Sequence, residues 1–112
     1  MATIISKSEG LNKRAVFTIM NGQSGKLSTY DGVQFTIKDY ILYEDVNQQG
    51  QNQKLLALVT EDGDIMTTNS GTAIHTFEKM LEQGFELPIE DVQIVSGTTK
   101  AGRTYYDLKL IV

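Results

Sequence analysis

The chain has no cysteine and no tryptophan, and only one proline and one histidine among its 112 residues. Without cysteine there is neither a disulfide framework nor a thiolate metal site. The lone histidine, His75, has no second histidine or cysteine with which to form a base–nucleophile pair, so nothing predicts catalysis. No window reaches the roughly 18 consecutive apolar residues of a membrane span. Residues 1–7 lack the apolar centre of a secretory signal. These absences predict a non-enzymatic cytoplasmic protein that needs no cofactor, metal or membrane.

Two short motifs invite a sharper chemistry and fall short of it. Glu61-Asp62-Gly63-Asp64 brings three carboxylates together but lacks the remaining ligand positions of a calcium loop, and reads as an acidic hairpin turn. The glycines of residues 21–25 precede no Gly-Lys-Ser/Thr ending, so this is a flexible loop by composition and not a phosphate loop.

The net charge of −4 opposes binding to a polyanion, but the charges are unevenly placed. Residues 1–30 carry Lys7, Lys13, Arg14 and Lys26 against Glu9, and residues 99–112 carry Lys100, Arg103 and Lys109 against Asp107. Nearly all the acid lies between them. Phosphate recognition depends on local clusters of cations, not on the sum. A solvated surface with a charge bias would produce the same counts.

The apolar pattern predicts a mainly β domain with one prominent helix. Val33, Phe35 and Ile37 alternate with polar residues, the period of a half-buried strand over residues 33–46. The alternation stutters at Asp39-Tyr40, which suggests a bulge or bend. Leu55 to Val59 is continuously apolar, as in a strand covered on both faces. Gly63 suits the tight turn that follows, and residues 65–69 run back. Ser70 is a plausible N-cap for a helix over residues 70–83, with Ile74, Phe77 and Leu81 as its apolar stripe. Gly84 and Pro88 stop that helix. Residues 91–96 and 105–112 form a last hairpin in which Tyr106, Leu108, Leu110 and Val112 face inward while Tyr105, Asp107, Lys109 and Ile111 face outward. Residues 8–21 fit a short helix through Leu11, Ala15 and Ile19, or a further strand. The resulting order, β-β-β-α-β-β, is that of the five-stranded Greek-key barrel called the OB-fold. It predicts a single domain over residues 1–112, with 1–30 as N-terminal extension and loop and 31–112 as the barrel.

Binding a single nucleic-acid strand takes flat side chains for the bases and cations along the backbone path. Tyr30, Tyr40, Tyr43, Tyr105 and Tyr106 supply rings, and Lys100, Arg103 and Lys109 surround Tyr105 in one hairpin. Most of these tyrosines could equally fill or rim the core.

Residues Tyr40-Ile41-Leu42-Tyr43-Glu44-Asp45, Thr68-Asn69-Ser70 and Ile94-Val95-Ser96-Gly97-Thr98-Thr99-Lys100-Ala101-Gly102-Arg103 resemble the phage- and plasmid-encoded single-stranded DNA-binding proteins of Gram-positive bacteria. The resemblance spans most of residues 33–106. It implies an OB-fold that coats single strands in replication or recombination without a cofactor, in the host cytoplasm. By matching position, Lys100, Arg103 and Tyr105 fall in or after the loop between the last two strands, and Thr68 and Asn69 at the end of the third. The sequence departs from cellular single-strand binders in having no acidic-tipped tail, so tail-borne recruitment of partners is not implied.

The expected nucleic-acid-binding set is Tyr43, Lys54, Asn69, Lys100, Arg103, Tyr105 and Lys109. Single-stranded DNA is the expected partner, with RNA and a homo-oligomer left open. The alternative is a small acidic protein-interaction module, such as a phage inhibitor of a host nucleic-acid enzyme, whose carboxylates imitate a phosphate backbone.

Overall fold

The computed structural model describes residues 2–112. Strand β1 is Thr3–Lys7, helix α1 is Lys13–Met20 and the two-residue strand β2 is Gly25–Lys26, followed by a 3-10 turn at Leu27–Tyr30. Next come β3 (Gln34–Val46), β4 (Asn52–Thr60), β5 (Ile65–Thr68), α2 (Gly71–Glu82), β6 (Ile89–Thr98) and β7 (Thr104–Leu110). The strands form one sheet in the order β2-β5-β4-β3-β6-β7, with β1 on β3 as well. The sheet curls into a half-barrel.

Strand β3 is the organiser, because it pairs along both edges. One edge meets β4 from Ile37 to Val46. The other meets β6 at Gln34–Ile37 and β1 at Ile41–Glu44. The stutter in its sequence coincides with a register break between Ile37 and Asp39. There the Ser8 hydroxyl donates to Asp39 Oδ1 at 2.8 Å and accepts from the Tyr40 amide at 3.0 Å, anchoring the end of β1 to the bend.

The pleat divides the apolar residues between two cores. Ile37, Tyr40 and Leu42 of β3, with Leu56 and Leu58 of β4, face the inside of the half-barrel and meet Ala73, Ile74, Phe77 and Met80 of α2. Tyr40 and Phe77 meet with their rings tilted at 58° and centroids 4.9 Å apart. Ile41, Tyr43, Ala57 and Val59 face the other way and are covered by Leu11, Ala15, Val16, Ile19 and Met20. The continuous apolar run of β4 is thus explained by helices on both faces.

Helix α2 occurs where its capping and stripe predict. Ser70 is the N-cap, accepting from the Ala73 amide at 3.3 Å, and Gly84 follows the C-cap Gln83 with φ of 91°. The hairpin parity holds as far as Leu110: Leu108 is buried, and Tyr106 and Leu110 pack against the inner core, but β7 ends there and Val112, expected to face inward, is exposed.

Two expectations are corrected. The described residues hold seven strands where five were expected, and two α-helices where one was prominent. Residues 8–21 supply a helix, and the additional strands lie on either side of it. Residues 1–30 are also no mere appendage: β1 pairs with β3, β2 pairs in parallel with β5, and Leu27 of the 3-10 turn is fully buried in the inner core.

That last packing fills a gap. In the strand order β5-β4-β3-β6-β7, full barrel closure would join β5 to β7. Instead the outer edge of β5 takes β2. The outer edge of β7 takes α2, through Ser70 Oγ donating to the Tyr106 carbonyl at 2.8 Å and Thr76 Oγ1 donating to Asp107 Oδ1 at 2.5 Å.

Candidate functional site

The unclosed seam leaves a cleft of about 610 Å³ on the surface. Its walls are Lys26 and Ser28 on one side, Leu55 and Thr67 to Asn69 along the strand ends, and Thr104 to Tyr106 opposite, with the first turn of α2 (Ser70, Gly71, Thr72) at one end. None of the lining residues is acidic and Lys26 is the only charged one, in a chain that carries 14 Asp and Glu. Hydroxyls and amides supply most of the other polar groups. The amino end of α2 adds partial positive charge from amides without an intrahelical partner.

Tyr105 is the aromatic wall of the cleft. It is 38% exposed, and its ring lies across Gly97, its cross-strand partner on β6. A Cβ at Gly97 would stand 2.5 Å from the ring's Cζ and 2.8 Å from Cε1, so only glycine leaves room for the ring there. The phenol is therefore held from below by backbone while remaining partly open to solvent. The turn that precedes it carries Lys100 and Arg103, both exposed. That turn is closed by the Thr99 amide on the Arg103 carbonyl at 2.8 Å and the Arg103 amide on Thr99 Oγ1 at 3.2 Å. A closed turn thus carries two exposed cations at the tip of the β6–β7 hairpin that bears Tyr105; neither of them lines the cleft itself.

The remaining expected residues scatter. Asn69 lines the cleft and its Nδ2 donates to Gln53 Oε1 at 3.3 Å. Lys54 does not face it: its ammonium is bound to Glu78 of α2 at 3.1 Å, so its charge is matched within the fold. Lys109 is exposed further along β7, opposite Gln93 of β6, and does not line the cleft.

Tyr43 lies in the outer core at 4% exposure, where its ring is covered and offers no face to a base. Burial pushes its hydroxyl pKa above the ordinary 10.0, the Asp45 carboxylate pushes it the same way, and a bond with Thr67 opposes both. Of the two roles open to this tyrosine, stacking a base or filling the core, the structure shows the second, because β3 is covered on both faces.

Two contributors escaped the sequence reading. Lys26 stands in the sequence only as one cation of a basic N-terminal stretch, and the parallel pairing of Gly25 and Lys26 with Met66 and Thr67 brings it to the cleft. Gly97 lies just past the expected strand of residues 91–96; the structure carries that strand on to Thr98 and sets Gly97 opposite Tyr105. His75 is exposed on α2, and among the described residues no group of three or more His, Asp or Glu could hold a metal ion. No helix of the described residues is long and apolar enough to cross a membrane.

No family model, curated protein or solved structure matches the chain.

Proposed function

We propose that the protein binds single-stranded DNA with little sequence preference, and that the strand lies in the seam cleft. The observation that carries this reading is the acid-free cleft with a partly exposed tyrosine ring, seated on glycine, beside a turn bearing Lys100 and Arg103. Rings accept any base, and cations accept the phosphates between them. Lys26 and the amino end of α2 would receive phosphates on the far wall. We read the half-barrel as an OB-type barrel whose last pairing is replaced by β2 and α2, in keeping with the resemblance to phage- and plasmid-encoded single-strand binders. Coating of strands during phage or plasmid replication, in the host cytoplasm, is the setting that resemblance suggests.

The test is a fluorescence titration with oligo-dT at low salt, repeated at rising salt. Neutralising three phosphates, through Lys26, Lys100 and Arg103, predicts a slope of about −2 in log affinity against log salt, at roughly 0.7 per phosphate. Arg103→Glu is expected to weaken binding and flatten the slope. Absence of binding at micromolar protein would overturn the proposal.

A further inference from the structure

The outer face of α1 carries residues that folding does not explain. At about 100° per residue, Ala15, Val16, Ile19 and Met20 fall on one side of the helix, and these pack into the outer core. Lys13, Phe17 and Arg14 fall on the opposite side, with Phe17 between the two cations. All three are exposed. Phe17 is 64% exposed, more than any other large apolar side chain of the described residues apart from the C-terminal Val112.

Two local rules are broken there together. Lys13 and Arg14 occupy the first turn of the helix, where the free amides already carry partial positive charge, and no acidic residue stands in that turn to offset them. Neither cation makes an ion pair among the described residues. A phenylalanine left in water beside two unmatched cations brings the isolated fold no packing and no charge pairing. Sites that break local rules without compensation are where function is expected.

We infer that this face is a second contact for the same single strand, with Phe17 stacking a base and Lys13 and Arg14 holding the adjoining phosphates. Side chains three and four apart on a helix lie about 5–6 Å from one another, so cation, ring and cation form one compact patch. A polynucleotide matches both parts of that patch, since its anions alternate with flat rings. An acidic protein surface would match only the cations. The patch also lies next to the cleft along the chain. From α1 the backbone runs through Ser24, whose hydroxyl bonds Thr67 Oγ1 at 2.5 Å, to Lys26 in the cleft wall. This inference rests on the single-strand reading above and adds to it a longer track.

The experiment compares oligo-dT of about 6 and about 20 nucleotides, near the lower end of and beyond the roughly 4–16 that one OB-fold occupies. The variants are Phe17→Ala and the pair Lys13→Gln with Arg14→Gln. All three positions are exposed, so circular dichroism and the urea midpoint should match the wild type. On the long oligomer Phe17→Ala is expected to lose roughly tenfold in affinity, within the range of one stacked base. The glutamine pair should reduce the salt slope there by about 1.4, at roughly 0.7 per phosphate. On the short oligomer, held by the cleft, both should bind as the wild type does. Unchanged binding of the long oligomer by both variants would overturn the inference while leaving the cleft reading intact. A concentration-dependent self-association that Phe17→Ala abolishes, with DNA binding unaltered, would also overturn it and assign the face to a second copy. If the wild type binds neither length, the cleft reading and this inference fall together.

Discussion

Gly97 and Tyr105 show how one missing atom can set the geometry of a surface. The ring occupies the space in which any other residue at position 97 would place its Cβ. Gly97→Val should therefore push the phenol off the strand while leaving the inner core, which does not include it, untouched. The expected result is a weakened oligo-dT titration close to that of Tyr105→Ala, each losing about 1–3 kcal/mol for one stacked base, with an unchanged urea midpoint for Tyr105→Ala. Wild-type affinity in both would remove Tyr105 from the site. Tyr43 belongs to a different argument. Its folded-state pKa is raised above 10.0, mainly by burial, so the folded state holds the phenol proton more tightly than the unfolded chain does. The corresponding stability is fully present below pH 10 and is lost as pH rises through the unfolded and then the folded pKa. Urea midpoints measured at about pH 9 and pH 11 should fall between the two in the wild type, and fall less in Tyr43→Phe.

At the scale of elements, α2 was legible from end to end. Its cap, its apolar stripe and its terminating glycine are local signals, and local signals survive in sequence. The second duty of the cap was not legible. Ser70 Oγ both accepts from the first turn of its own helix and donates to the Tyr106 carbonyl on β7, so one hydroxyl starts the helix and ties it across the seam. Ser70→Ala removes both bonds and should cost about 1–2 kcal/mol, read as a lower urea midpoint at constant m-value. A loss no larger than a few tenths would mean that the seam holds without it. Helix α1 was only half legible. Its eight residues are too few to fold alone, and its strand propensity equals its helical one; the apolar face formed by Ile41, Tyr43, Ala57 and Val59 decides the matter by offering something to cover.

For the molecule as a whole, the seam is where the chain's first 30 residues become indispensable. Leu27 is fully buried in the inner core, its turn lying against β2, β5 and β6, and fills the space that a closed barrel would have given to strand pairing. Leu27→Ala is expected to destabilise by about 2–5 kcal/mol, the range for large apolar truncations in a core. Far-UV and tyrosine signals should still melt in one coincident transition, because the turn and the half-barrel share one core. A separate early transition of the N-terminal residues would show that they dock as an accessory. The distribution of charge is a property of the same scale. A net −4 protein still has a cleft lined by no carboxylate, since its acids lie in the β4–β5 turn, on α2, along β3, at the start of β6 and in loops, and Asp107 of β7 is bonded to Thr76.

The strands that bear clear alternation, the helix with its caps, the outward parity of Tyr105 and the basic turn before it are all written in the order of residues. They rest on spacing between near neighbours, which the backbone converts directly into a face or a turn. That Tyr43 is covered, that Lys54 is matched by Glu78 and that Lys26 reaches the cleft emerge only when the chain is folded. Each of those depends on residues brought together from distant parts of the chain, as Lys54 is with Glu78, and no local pattern encodes which distant surface a side chain will meet. The same holds for the seam. Alternation in β5 and β7 marks their faces, but whether their edges join each other or are taken by β2 and α2 is settled by how far the sheet curls.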